Sequence, residues 1–207
     1  MVDLLIFSPA CFALNLAFGP NNLLAMNHGA QGGIRFAAAA SSARLLVFAP
    51  MIAASAMGLG VLLAASATAF NVMKVIGAAY LIWMGFKLLR SRPDPDDIDS
   101  ARKVPTLRTA FRREGLSAIS NPKAILIFAA FFPQFVDVQA YWESYAILGT
   151  VFLFLETLAI LVYATVGHFA AAFAATRLHW FQRASGIGML GFGVLLLLSP
   201  QPSSTPQ

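Results

Sequence analysis

Phe18-Gly19-Pro20-Asn21-Asn22 and Ser120-Asn121-Pro122-Lys123 each place a proline and side-chain amides inside a stretch otherwise apolar enough to cross a membrane. Proline removes a backbone donor and clashes with the preceding turn, so each stretch predicts a broken helix. In lipid the freed carbonyls need partners in protein or in a water-filled cavity. Two such breaks, one early in each half of a chain, mark the expected position of a transport site between repeats.

The surrounding composition agrees. The chain has 207 residues, of which 58% are hydrophobic and 11% charged, more apolar than a soluble domain of this size needs. Apolar runs long enough to span a bilayer predict six transmembrane helices, near 4–27, 36–63, 68–89, 113–134, 144–170 and 184–199. The expected fold class is therefore an all-α integral membrane protein. The first run lacks a positively charged start and a small-residue cleavage site, so it reads as a span and not as a removable leader.

Cys11 is the single cysteine, which excludes an intramolecular disulfide and a multi-cysteine metal site. It reads as a small apolar residue of helix one. His28, His168 and His179 form no i, i+4 pair for zinc and are expected at the cytoplasmic interface. No P-loop is present, so the chain encodes no ATPase. Gly115-Leu116-Ser117-Ala118 lacks the second glycine of a serine-hydrolase elbow. No catalytic residue, metal or cofactor is expected.

The formal charge is +5, yet its placement speaks for membrane orientation and against a nucleic-acid partner. Eleven of the 14 Lys and Arg residues lie at loops or helix ends on one side, while Arg44, Lys74 and Lys123 lie inside apolar runs. This positive-inside pattern places the loops near 28–35, 90–112 and 173–183 in the cytoplasm and both termini outside.

The stretch 91–112, with Pro93-Asp94-Pro95, reads as a cytoplasmic linker carrying a short interfacial helix near 106–113. It separates a first three-helix unit, 1–90, from a second, 113–199, and the Pro/Ser-rich tail 200–207 reads as disordered. Lys74-x-x-Gly77-x-x-x-Leu81 echoes Arg183-x-x-Gly186-x-x-x-Leu190, and Pro20 echoes Pro122. An odd number of helices per unit makes the second copy run in the opposite sense, which is an inverted repeat.

A rise of about 1.5 Å per residue brings four segments to a similar depth. Asn21 lies roughly 25 Å along helix one, in the cytoplasmic third of a ~30 Å core. Asn121 and Arg44 lie roughly 12 Å in from the cytoplasmic side, and Glu156 is about 12 Å from that same face. A buried charge costs about 2.5–3.5 kcal/mol on insertion scales, so Arg44 and Glu156 are expected to pair. That pair can be structural or can carry a proton.

Asn21, Asn22 and Asn121 can each donate and accept. Together with the opened backbone at Gly19, Pro20 and Pro122 they can bind the amino and carboxylate groups of a solute, or they can satisfy the broken helices themselves. Lys123 either faces the cavity or snorkels to the interface. Lys74 is expected to snorkel, and Tyr80 and Tyr163 to serve in the aromatic belt or in packing, with hydrogen bonding within the bundle as the alternative. Gly58, Gly60, Gly77, Gly85, Gly186, Gly188, Gly191 and Gly193 read as close helix contacts.

Gly19-Pro20-Asn21-Asn22-Leu23-Leu24, the run Lys74 to Gly85, and Asn121-Pro122-Lys123 followed by Phe131-Phe132-Pro133-Gln134-Phe135 resemble the LysE/RhtB family of amino-acid exporters. The resemblance covers nearly the whole chain. It implies a small bacterial inner-membrane protein, a secondary transporter (an antiporter with protons) that exports amino acids or close derivatives using the proton-motive force. Asn21, Asn22, Asn121 and the adjacent backbone would bind substrate, and Glu156 would be the proton carrier. Small-residue helix faces permit a homodimer.

Two positions depart from the family pattern. Phe18-Gly19-Pro20 stands where the family usually has Pro-Gly-Pro, which predicts a less sharply broken helix. Arg44 stands where many members carry a small or acidic residue, which predicts altered substrate charge preference or neutralisation of Glu156. The alternatives are export of another small solute or cation, or a membrane accessory subunit with no transport of its own. The accessory role predicts that Asn21, Asn121 and Glu156 tolerate apolar replacement.

Overall fold

The computed structural model describes residues 2–65 and 104–170, together with scattered positions between 72 and 90 and between 187 and 198. The expected third and sixth spans, residues 91–103 of the linker and the tail fall largely or wholly outside the described residues. So do the echoed Lys74 and Arg183 motifs, Tyr80 and His179.

The described chain is helical, with no strand among the described residues. α1 is Leu4–Leu16, α2 is Pro20–Ala65, α3 is Leu107–Ile119, α4 is Pro122–Leu126 and α5 is Tyr141–Ala170. A π-turn, Ile127–Phe131, and two 3-10 turns, Phe132–Phe135 and Val138–Ala140, join α4 to α5. Pro20–Gly58 and Val138–Phe169 are long and apolar enough to cross a membrane, and Leu107–Ile119 with Lys123–Phe135, bent by 48°, passes the same test only when the two pieces are taken together, as a broken span or a re-entrant loop.

Both prolines act as expected from their backbone chemistry. Residues 17–19 leave the helix between α1 and α2, so the expected span 4–27 is two helical pieces. One proline interrupts it fully, without the Pro-Gly-Pro of the family. Pro20 and Pro122 each open a helix, where a missing N–H costs nothing. Asn121 caps α4, its Oδ1 accepting from the Lys123 N–H at 3.0 Å. Pro133 lacks the donor for the preceding turn, and the helix loosens into the π-turn before it.

Three expected boundaries change. The predicted loop near 28–35 is reduced to a tight turn at Gly33 (φ 81°, ψ 174°), which divides α2 into two helical arms. Only glycine takes that conformation readily. The fourth span begins at Leu107, six residues before its expected start, and takes in the short interfacial helix expected near 106–113. The fifth begins at Tyr141.

Spacing sets the packing. Ser41, Arg44, Phe48, Ile52 and Ser55 recur every three or four residues and share one face of α2. That face runs antiparallel to α5: Arg44 meets Glu156, Ile52 lies over Gly149, and Tyr141 Oη donates to Ala56 O. It runs parallel to the α3–α4 segment, where Ser41 meets Glu114 and Ser55 Oγ donates to Phe128 O at 2.6 Å. Phe7, Phe48, Phe128, Phe131, Phe132 and Phe152 form a buried aromatic cluster, with Phe128 and Phe152 centroids 4.9 Å apart. Leu46, Met57 and Phe154 point outward and are exposed.

Among the described glycines, the tightest backbone approaches lie between the first arm of α2 and the end of α5. A Cβ at Gly29 would sit 2.2 Å from Ala164 O, and one at Gly167 would sit 1.9 Å from Met26 O. Backbone meets backbone here, as small residues allow in membranes. Gly58, expected to be such a contact, has nothing within 4 Å among the described residues, and the same holds for Gly191. Gly29→Ala is therefore expected to destabilise the protein by about 1–3 kcal/mol, while Gly58→Ala leaves stability unchanged or slightly raised. Thermal unfolding of the two purified variants checks this, and equal melting temperatures would contradict the packing.

Candidate functional site

The break after α1 exposes the negative end of a helix. The last carbonyls of a helix have no intrahelical partner, and in an apolar interior each must be met. Side chains from three elements meet them here. Lys123 Nζ donates to Leu14 O at 3.1 Å and to Ala17 O at 2.9 Å. Asn22 Nδ2 donates to Asn15 O at 2.7 Å and to Ala17 O at 2.9 Å. Tyr163 Oη donates to Leu16 O at 2.7 Å. Four successive carbonyls, Leu14 to Ala17, are thus satisfied from α2, α4 and α5, and the Lys123 cation suits the helix C-terminus.

Lys123 is 7% exposed, so it reaches the break and does not snorkel. Gly19 lies beside it, with a Cβ position 3.8 Å from Nζ. Asn22 satisfies the broken helix rather than standing free. Tyr163 takes the hydrogen-bonding alternative within the bundle rather than the belt or packing role.

The two breaks touch. Asn121 Nδ2 donates to Asn21 Oδ1 at 2.9 Å, and Ser117 Oγ donates to the same oxygen at 3.1 Å. Asn21 is buried, and its own Nδ2 has no hydrogen-bond partner. A buried amide donor left unpaired costs about 1–3 kcal/mol, so its place in the site calls for an acceptor.

Arg44 closes the cluster. Its NH1 donates to Glu156 Oε1 at 2.9 Å and to Asn22 Oδ1 at 3.1 Å. Its NH2 donates to Asn21 O at 2.6 Å and lies 3.0 Å from Glu114 Oε2, which Nε also reaches at 3.1 Å. Arg44 and Glu114 are both fully buried. Glu114 Oε1 accepts from Ser41 Oγ at 2.8 Å and lies 3.2 Å from His28 Nδ1. His28, expected at the cytoplasmic interface, is interior instead, and Glu114, at the start of the expected fourth span, is buried with it. The signal for Glu114 is its offset: seven residues before Asn121, and three before Ser117, it shares their helix face.

A cavity of roughly 260 Å³, its mouth included, lies among Asn15, Asn21, Asn22, Phe48, Asn121, Lys123, Ala124, Ile127, Phe152 and Glu156. Its inner room suits about one water molecule. Glu156 lines it, and its Oε2 accepts no hydrogen bond from the described residues. Pro20 and Gly19 stand at the break without lining it. No group of three or more His, Cys, Asp and Glu able to hold a metal occurs among the described residues.

Broken apolar helices around a buried polar cavity define a membrane transport protein. The LysE type translocator model matches residues 12–200, and the chain belongs to that family. It is 34% identical over 192 residues to an uncharacterized membrane protein of Pseudomonas aeruginosa, covering 86% of this chain and 87% of that one. It is 30% identical over 190 residues to a leucine efflux protein of an Enterobacter species, covering 90% and 86%. It is 33% identical over 171 residues to a homoserine/homoserine lactone efflux protein of Salmonella typhi, covering 82% and 78%. No solved structure matches the chain.

Replacing Tyr163 by Phe leaves Leu16 O without its donor. The expected loss is about 1–3 kcal/mol of stability, read as a lower melting temperature in detergent with the helical content of the native protein preserved. A melting temperature equal to wild type would show that the carbonyl finds another partner.

Proposed function

We propose that this protein exports amino acids or close derivatives from the cytoplasm, as a secondary transporter of the inner membrane driven by the proton-motive force. The observation that carries this reading is the unpaired Asn21 amide in a cavity that also presents the Lys123 ammonium and the Glu156 carboxylate. A zwitterion matches that set. Its carboxylate takes the Asn21 N–H and the remaining Lys123 donor, and its ammonium group takes Glu156 Oε2. Phe48, Ile127 and Phe152 offer apolar walls to its side chain, which favours a neutral amino acid. Arg44 is committed to two carboxylates and two amide oxygens, so it neutralises the site without selecting an acidic substrate.

The cavity is too small for a whole amino acid, so loading requires the segments around the breaks to separate. The expected orientation, with both termini outside, places the Phe7–Phe131–Phe132 cluster on the outer side of the cavity. That cluster then closes the outward path while the solute loads from the cytosol. Release requires the two three-helix units, 1–90 and 113–199, to rock against each other. A proton on Glu156 would free it from Arg44 and return the carrier. The relatives named for leucine and homoserine efflux support the substrate class.

Efflux of a panel of labelled amino acids from preloaded vesicles tests this, with wild type, Asn21→Ala and Glu156→Gln side by side. Faster efflux of one class of neutral amino acid is expected, reduced at least tenfold by both variants and abolished by an uncoupler (a loss of about 1.4 kcal/mol or more per variant). Unchanged efflux in both variants would remove these residues from the site. No efflux of any amino acid by correctly inserted protein would favour another solute or the accessory role.

A further inference from the structure

The two carboxylates that share Arg44 are held very differently. Four of the five N–H donors of the guanidinium are hydrogen-bonded: Nε to Glu114, one NH2 hydrogen to Asn21 O, and the two of NH1 to Asn22 and Glu156. NH2 also lies within ion-pair distance of Glu114, at 3.0 Å. Glu114 is held at four points, twice by Arg44 and once each by Ser41 and His28. It has no exposed surface. Glu156 is held once, through Oε1, and faces the cavity.

We infer that Glu114 is a positioning residue for transport: it is the standing counter-ion of Arg44, which lets Glu156 change partner without stranding a buried cation. This inference rests on the proposed role of Glu156. A buried guanidinium that loses its sole partner is strongly destabilising. Were Glu156 its only carboxylate, passing Glu156 to a proton or to a solute's ammonium group would strand Arg44. With Glu114 fixed by Ser41 and His28, Arg44 keeps one carboxylate and its bonds to Asn21 and Asn22. The first break then holds its shape through the exchange. Among the described residues, Glu156 also faces Lys123 of α4 across the cavity, and the Cys11 thiol of α1 is close enough to feel its charge. Glu114 faces Arg44 and His28, both from α2.

Removing the Glu114 charge leaves the Arg44 cation answered by Glu156 alone. Glu156 is then held by Arg44, and its exchange to another partner slows. The test uses the full-length protein, as wild type, Glu114→Gln, Glu114→Asp and Glu156→Gln, with L-leucine efflux from vesicles followed across a pH series. Glu114→Gln is expected to change the pH profile of efflux and to reduce its maximal rate. Glu114→Asp keeps the charge and is expected to restore most of the wild-type profile; it carries the test if Glu114→Gln does not fold. A wild-type pH profile in correctly inserted Glu114→Gln would overturn the inference, whatever the rate. Leucine efflux that keeps its pH response in Glu156→Gln would instead overturn the role of Glu156.

Discussion

An interrupted helix inside a bilayer survives only if every freed carbonyl finds a donor. Four consecutive carbonyls at the end of α1 depend on Lys123, Asn22 and Tyr163. Each donor comes from a different helix, so the break is not a local feature of α1. It exists because α2, α4 and α5 are packed around it. The second break is built differently: Asn121 caps its own helix and spends its amide on Asn21. One break is therefore satisfied by the bundle, and the other by its own sequence.

Charge follows the same economy. Arg44 and Lys123 face Glu114 and Glu156 within one buried cluster. Two cations and two carboxylates balance, which is the condition for keeping ionised groups out of water. The balance spans α2, α3, α4 and α5: Arg44 of α2 answers Glu114 of α3, and Lys123 of α4 shares the cavity with Glu156 of α5.

The breaks were legible because proline's chemistry is local: a missing N–H at Pro20 or Pro122 has the same consequence in any apolar helix. The level of Arg44 and Glu156 followed from rise per residue alone. Glu114 was hidden because it follows Arg112 and Arg113 and so continues a polar run. Only the helical offset to Asn121 betrays it. His28 was hidden for a related reason, since its burial depends on Phe36, across the Gly33 bend, and on Glu114 of α3. The tight glycines were invisible for a third reason. Gly29 and Gly167 differ from Gly58 only in what lies opposite them, and sequence spacing carries no information about that.

The single hydrogen bond between Asn21 and Asn121 joins the two halves at their weakest points. A neutral amide pair contributes about 1 kcal/mol net, less than the charged contacts beside it. It is a latch of low strength set in a frame of high strength. The Asn21 N–H beside this bond is unpaired, so in the proposed cycle a carboxylate binds next to the latch without first breaking it, while the ion pairs keep the frame from coming apart.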